Sequence, residues 1–236
     1  MAEPYFVWKN VNSSTMGIIV NTYPDFSKPA ERVKEITVPG RAGTLTMTEG
    51  DTVLDNVVLT CECTVPPTAD LAAITNWLRG TGIVIFGNDA TKCYKARLDN
   101  QLDFARMVSV QAYREVAIPF TCQPFKYQTT PDADIVKTVS GQTASNPGTV
   151  FSLPKIKVEG SGDITITIAT QAIQLTGISG GIIIDSEMMD AYDLTATALL
   201  NEQMIGDFPI IPPGNFAISW TGTVTKVTIT PRWRWI

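Results

Sequence analysis

The chain contains no histidine. A Ser-His-Asp type nucleophile needs an imidazole base, and the common Cys/His zinc sites need imidazole ligands, so neither chemistry has its parts here. Long apolar runs are missing as well; none approaches the ~20 residues of a membrane-spanning helix. The opening Met1-Ala2-Glu3-Pro4-Tyr5-Phe6-Val7-Trp8-Lys9 lacks a basic region followed by an apolar run, so no secretory signal is read and a soluble protein made in the cytoplasm is expected. Basic residues are the scarcer charge, 18 against 23 acidic, for a net charge of −5, which disfavours general binding to nucleic acid or anionic membranes. Cysteine is sparse: Cys61, Cys63, Cys93 and Cys122. Without a secretory signal these are expected as reduced, buried thiols. Cys61 and Cys63 share one face of a strand, but C-x-C is not the usual zinc spacing.

What is present is a globular composition, 44% apolar and 17% charged. The 236 residues suit two domains of about 120 each. The joint is read at Pro119-Phe120-Thr121-Cys122-Gln123-Pro124-Phe125-Lys126-Tyr127-Gln128. Two prolines cannot donate to a ladder, so this stretch is expected as an edge strand closing the first domain. The expected boundaries are 1–131 and 132–236.

In the first half, Tyr5–Trp8, Gly17–Val20 and Arg32–Val38 read as strands, and Asn12-Ser13-Ser14 as a turn. Pro39-Gly40-Arg41-Ala42-Gly43-Thr44-Leu45 opens a glycine-bounded loop around an arginine. Val57, Leu59, Cys61, Cys63 and Val65 alternate with Thr60, Glu62 and Thr64, the pattern of a half-buried strand. Pro66-Pro67-Thr68 starts the one clear helix, with Thr68 as the N-cap candidate, Leu71, Ile74 and Leu78 on one face, and Gly80 as a left-handed cap. Ile83–Phe86 reads as a buried strand, with Cys93–Leu98 and Phe104–Tyr113 as further strands.

Thr129–Pro147 reads as a linker or surface loop. Lys155–Val158, Ile164–Ile168, Ile173–Leu175, Ile182–Ile184, Phe216–Trp220 and Val224–Thr230 follow as short strands of an antiparallel sandwich or jelly roll. Met188–Met204 has a composition that suits a helix, but Thr195, Thr197 and the all-β context argue for strand and loop.

Patterns with a chemical reading are weak. Gly177-Ile178-Ser179-Gly180-Gly181 matches a nucleophile elbow, but no histidine base exists and no S-x-x-K spacing offers a lysine; a hairpin turn is expected. Asp185 and Glu187 share a parity and could act as paired acids or cation ligands, though two carboxylates at a strand end are more simply a solvated turn. No phosphate-binding glycine motif follows a strand. Enzyme activity and a cofactor are therefore not expected.

The ordered set of Gly17-Ile18-Ile19-Val20, Pro39–Leu45, Trp77-Leu78-Arg79-Gly80-Thr81-Gly82-Ile83-Val84-Ile85-Phe86, Cys122–Tyr127, Ile184-Asp185-Ser186-Glu187, Gly206-Asp207-Phe208-Pro209, Pro213–Trp220 and Thr230-Pro231-Arg232-Trp233-Arg234-Trp235 resembles the distal tail proteins of long-tailed phages, especially those of Gram-positive hosts. The resemblance spans nearly the whole chain. It implies a mainly β protein: an N-terminal sandwich-like belt domain with one helix, related to tail-tube proteins, and a C-terminal galectin-like sandwich.

It further implies a homohexameric ring at the virion tail tip, joining the tail-tube protein to the tail-associated tip protein and to a receptor-binding protein. DNA would pass through the lumen without specific binding, and no membrane partner is implied. Arg41, Thr44 and Leu45 are the candidate assembly residues. Arg232 and Arg234, expected on the basic face of a last strand whose other face carries Trp233 and Trp235, are the candidate docking residues. The alternative is a carbohydrate-binding sandwich protein for host adhesion, with Trp220, Trp233 and Trp235 as stacking candidates.

Overall fold

Alternation at Val57–Val65 seeds the first sheet: every odd residue of that strand is buried and every even one is not. The structure is a computed structural model and describes residues 3–25, 27–48, 53–106 and 112–236. The chain divides into two units, residues 1–129 with Ile236, and residues 130–235.

In the first unit the strands are β1 (Phe6–Trp8), β2 (Val11–Asn12), β3 (Ile19–Thr22), β4 (Val33–Thr37), β5 (Thr44–Thr48) and β6 (Val57–Val65). Helix α1 (Leu71–Trp77) follows, then β7 (Gly80–Phe86), β8 (Lys92–Leu98), β9 (Ala105–Arg106) and β10 (Arg114–Gln128). All but β4 and β5 form one antiparallel sheet in the order β2-β1-β7-β8-β10-β6-β3, with β9 paired to β10. The sheet curls. Phe6 and Trp8 of β1 lie 5.4 and 5.5 Å from the ring of Phe120 on β10, although β7 and β8 stand between those strands in the ladder. Only a sheet folded over its own buried face brings these rings together.

Helix α1 is tied to β1 by a reciprocal pair of bonds: Trp8 Nε1 donates to the Trp77 carbonyl at 3.1 Å, and Trp77 Nε1 donates to the Trp8 carbonyl at 3.2 Å. Its N-cap is Asp70, not Thr68, because the Asp70 carboxylate accepts from the Ala72 and Ala73 amides. Gly80 does adopt a left-handed φ of 77°, but as the first residue of β7; the helix ends at Leu78. Asn12-Ser13-Ser14 begins a 3-10 turn, Ser13–Met16, that Gly17 closes at φ 74°.

Three further expectations change. The 119–128 stretch is not an edge: it belongs to β10, which pairs β6 on one flank and β8 on the other. The prolines fit because the β8 ladder covers only Thr121–Cys122 and Lys126–Gln128; Pro119 precedes it and Pro124 falls in its bulge. Ile83–Phe86 is half-buried, with Ile83 facing outward and Val84 and Phe86 inward. Of Phe104–Tyr113, Ala105–Arg106 is strand, and residues 107–111 lie outside the described residues.

Cys61, Cys63, Cys93 and Cys122 are buried and unbridged. A hydrogen bond to the Cys61 sulfur, together with burial, pushes the Cys63 thiol far above its usual range; burial raises Cys93 and lifts Cys122 to about 12.

The second unit contains β11 (Ile135–Lys137), β12 (Gln142–Asn146), β13 (Lys155–Ile168), β14 (Gln171–Ile178), β15 (Gly181–Asp185), β16 (Asp190–Tyr192), β17 (Met204–Ile205) and β18 (Gly214–Thr230). The expected 129–147 linker therefore carries two strands. The expected pairs of short strands are each one long strand: β13 absorbs Lys155–Val158 and Ile164–Ile168, and β18 absorbs Phe216–Trp220 and Val224–Thr230.

The two long strands pair along their length, with register shifts at Glu159–Gly160 and Ser161–Thr165. There the backbones approach so closely that a Cβ on Gly160 would strike the Thr223 carbonyl, and one on Gly222, at φ +90°, the Asp163 carbonyl. Glycine at these corners lets both strands bend and continue. Beyond the bends, β15 and β11 flank one half while β14 and β12 flank the other. Ile156 and Val158 from one half share a single buried cluster with Ile164, Ile166 and Ile168 from the other, so the halves close as a sandwich. The glycine-rich 177–181 segment is not a hairpin turn. Strands β14 and β15 each pair β13, not one another, and the glycines step the chain along that one edge. Met188–Met204 contains no α-helix, as expected: β16, a tight loop and a 3-10 turn at Asn201–Gln203.

Candidate functional site

Arg41, Thr44 and Leu45 fall on one strand pair and its loop, apart from the main sheet of the first unit. Strands β4 and β5 form a separate two-stranded hairpin. Its loop is closed by the Arg41 amide, which donates to the Val38 carbonyl at 3.2 Å, and its glycines, Gly40 and Gly43, take φ values of 79° and 80°. The base is latched by Arg32, whose guanidinium meets Asp55 at 3.0 Å, and by amide bonds from Arg32 to Val53 and from Asp55 to Ala30.

Register divides the hairpin into two faces. Ile36 opposes Leu45 and Lys34 opposes Met47; on the other side Glu35 opposes Thr46 and Thr37 opposes Thr44. Directly opposed residues project to the same face of an antiparallel pair. One face thus carries Ile36, Leu45 and Met47 with Lys34 at its edge; the other is rich in threonine, with Val33 and Glu35. Thr44 and Leu45 point to opposite faces. Leu45 and Met47 are 41% and 51% exposed, and Ile36 is half-buried. A lone two-stranded hairpin is marginal in water, and an apolar stripe on one is a surface made to be covered. The sequence reading placed Leu45 in a loop and missed Met47; the alternation of both with threonines is the signal that could have found this face.

The C-terminal candidates do not share a strand face. Strand β18 ends at Thr230, and Arg232 takes a left-handed φ of 53°, so the alternation assumed for residues 231–235 is broken. Arg232 reaches Asp185 through both guanidinium nitrogens, at 2.6 and 2.8 Å, and Glu187 at 3.3 Å. Asp185 is therefore no solvated turn residue: it is buried, and its Oδ1 also accepts from the Glu187 and Met188 amides. Burial alone would raise its pKa, but the hydrogen bonds and charge of Arg232 outweigh burial and hold the carboxyl below its usual value.

Arg234 is itself buried. It donates to the Phe151 carbonyl from Nε at 2.9 Å and Nη2 at 2.7 Å, with its guanidinium 4.5 Å above the Phe151 ring. Arg232 thus meets acidic groups, and Arg234 a carbonyl, within this chain. Trp233 is 7% exposed and Trp235 and Trp220 are half-buried against the second core. Among the described residues no group of His, Cys, Asp or Glu is placed to hold a metal ion, and no helix is long and apolar enough to cross a membrane.

Neither a family model nor a curated protein matches the chain. Solved structures do. The SPP1 Dit (gp 19.1) protein, a paradigm of the hub adsorption apparatus in Gram-positive infecting phages, superposes at a TM-score of 0.75 and 14% identity, with 100% of both chains covered. This chain has the Dit fold. A component of the phage p2 baseplate in its activated, strontium-containing conformation is also similar, at a TM-score of 0.46 and 6% identity, over 99% of this chain and 100% of that one. The Dit likeness runs from end to end, through both units, as the ordered motifs in the sequence implied.

Proposed function

We propose that the chain is a non-enzymatic structural subunit of a phage tail tip, assembling as a homohexameric ring that joins the tail-tube protein to the tail-associated tip protein and the receptor-binding apparatus. The observation that carries this reading is the coextension of its fold with the SPP1 Dit protein, over 100% of both chains. The hairpin supplies a physical reason for self-assembly. Its apolar face, Ile36, Leu45 and Met47, is exposed in the single chain and would be covered by the next subunit. Arg41, at the tip, offers a planar fork to a neighbour's carboxylates. Residues 1–131 would form the ring and 132–236 an outer docking platform. The protein would reside in the virion after synthesis in the host cytoplasm, and its net charge of −5 suits a lumen that DNA passes without sticking. The sugar-binding alternative finds little support, because Trp233 is buried and offers no stacking platform.

Light scattering on the purified chain tests this. The wild type is expected at a ring mass; Leu45→Ser with Met47→Ser should shift it to smaller species, weakening each contact by roughly tenfold or more. Arg41→Ala should weaken assembly less. Single-chain mass for the wild type at all concentrations, or an unchanged mass for the double variant, would overturn the hairpin's role.

A further inference from the structure

Between Lys157 and Lys226 the chain has no lysine or arginine, yet it carries eight Asp and Glu residues. Part of this stretch folds around a surface groove of about 310 Å³ in the second unit, lined by Met188, Asp190, Tyr192 and Ala196-Thr197-Ala198-Leu199. Met188 and Leu199 are 67% and 69% exposed, and the adjoining Met189 is 67% exposed. Large apolar side chains this open, gathered at one concavity, mark an interaction surface more than a folding requirement.

The walls are held in advance. Asp185, clamped by Arg232, accepts from the Glu187 and Met188 amides and so fixes one wall. Asp193 fixes the other: it accepts from the Thr197 and Ala198 amides and from the Thr195 hydroxyl, and its own amide donates to the Ala198 carbonyl. Leu199 bridges back to Tyr192. Asn201 ties the segment to strand β16, donating to Asp190 at 3.1 Å and accepting from the Ala191 amide at 2.5 Å. A pre-ordered groove loses little freedom on binding. Flexible thioethers at its mouth adapt to the shape of an inserted side chain.

We infer that this groove docks a basic segment of a partner protein, one that inserts an apolar side chain between Lys or Arg residues. Charge decides the occupant. Asp190 lines the groove, and Glu187, Asp193 and Glu202 lie within three residues of its lining in sequence; of the cations in register with it, Arg232 is engaged with Asp185 and Glu187, Lys157 with Glu159, and Lys155 stands opposite Asp185. Anionic lipid and nucleic acid are repelled. A second copy meeting the same patch in a two-fold contact would set like charges face to face. A cationic segment satisfies both the apolar groove and the charge around it. The inference does not depend on the ring: the groove lies within one chain, and assembly is read by mass whereas docking is read by peptide binding.

Selection of a random peptide library against the full-length chain tests it, with Met188→Ser/Leu199→Ser as the counter-target. Enriched sequences are expected to carry an apolar residue flanked by Lys or Arg. The double variant should bind the leading peptide about tenfold or more weakly at an unchanged unfolding temperature. Glu187→Gln/Asp190→Asn should weaken it several-fold, most at low salt. No enrichment, enriched sequences without basic residues, or equal binding by the double variant would overturn the inference. So would enriched sequences matching basic stretches of this chain, such as Lys92–Arg97, which would make the occupant a second copy.

Discussion

Asp185 closes an apolar strand, and its carboxylate is met by a guanidinium from 47 positions further along the chain. The carboxylate side chain is 3% exposed and Arg232 26%. Removing the arginine would leave a buried charge with only two amide donors, so Arg232→Ala should cost about 3 kcal/mol at neutral pH. The carboxyl's pKa is depressed in the folded state, so its contribution is present above the unfolded value near ~4 and is lost as pH falls through the folded value. Urea unfolding should therefore show the wild type and Arg232→Ala far apart at pH 7 and converging below about pH 4. Equal stabilities at pH 7 would contradict this. The shared parity of Asp185 and Glu187 was legible in the sequence, and so was the cluster of Arg and Trp at the end. Their meeting was not, because it depends on a single left-handed residue, Arg232, that breaks the alternation on which the reading of residues 231–235 rested.

Strands with clean period-2 alternation and no interruption, β6 above all, are legible from sequence because burial on one face dictates every second residue. Of the hairpin, the first strand and the glycine-bounded loop were legible, but the second strand, Thr44–Thr48, was not read. Strands β10, β13 and β18 were not read whole. Proline and glycine look like ends in one dimension. In the fold they fall at bulges or at stretches where one flank has no ladder, and the strand continues through them. That account makes Gly222 a structural requirement. At φ +90°, with the Asp163 carbonyl where a Cβ would stand, Gly222→Ala should destabilise by about 3 kcal/mol, read as a lower denaturant midpoint at constant slope. A midpoint within error of the wild type would mean that the corner tolerates a side chain. Gly162, whose Cβ would meet no atom within 4 Å, is the comparison; it shares a positive φ of 79°, so its alanine variant carries the backbone strain without the collision.

At the scale of the whole chain, two β units share a fold with the SPP1 Dit protein at 14% identity. At that identity little of the likeness resides in individual residues, and it is read from the fold. Assembly belongs to this scale alone. The exposed Leu45 and Met47 of the hairpin are the feature of the single chain that the proposed assembly would cover. The most direct measurement is negative-stain imaging of the purified full-length protein at micromolar concentration. Closed rings with six-fold averages, lost in the Leu45→Ser/Met47→Ser variant, are the expected result. A field of single-chain particles with no rings would contradict the proposed role.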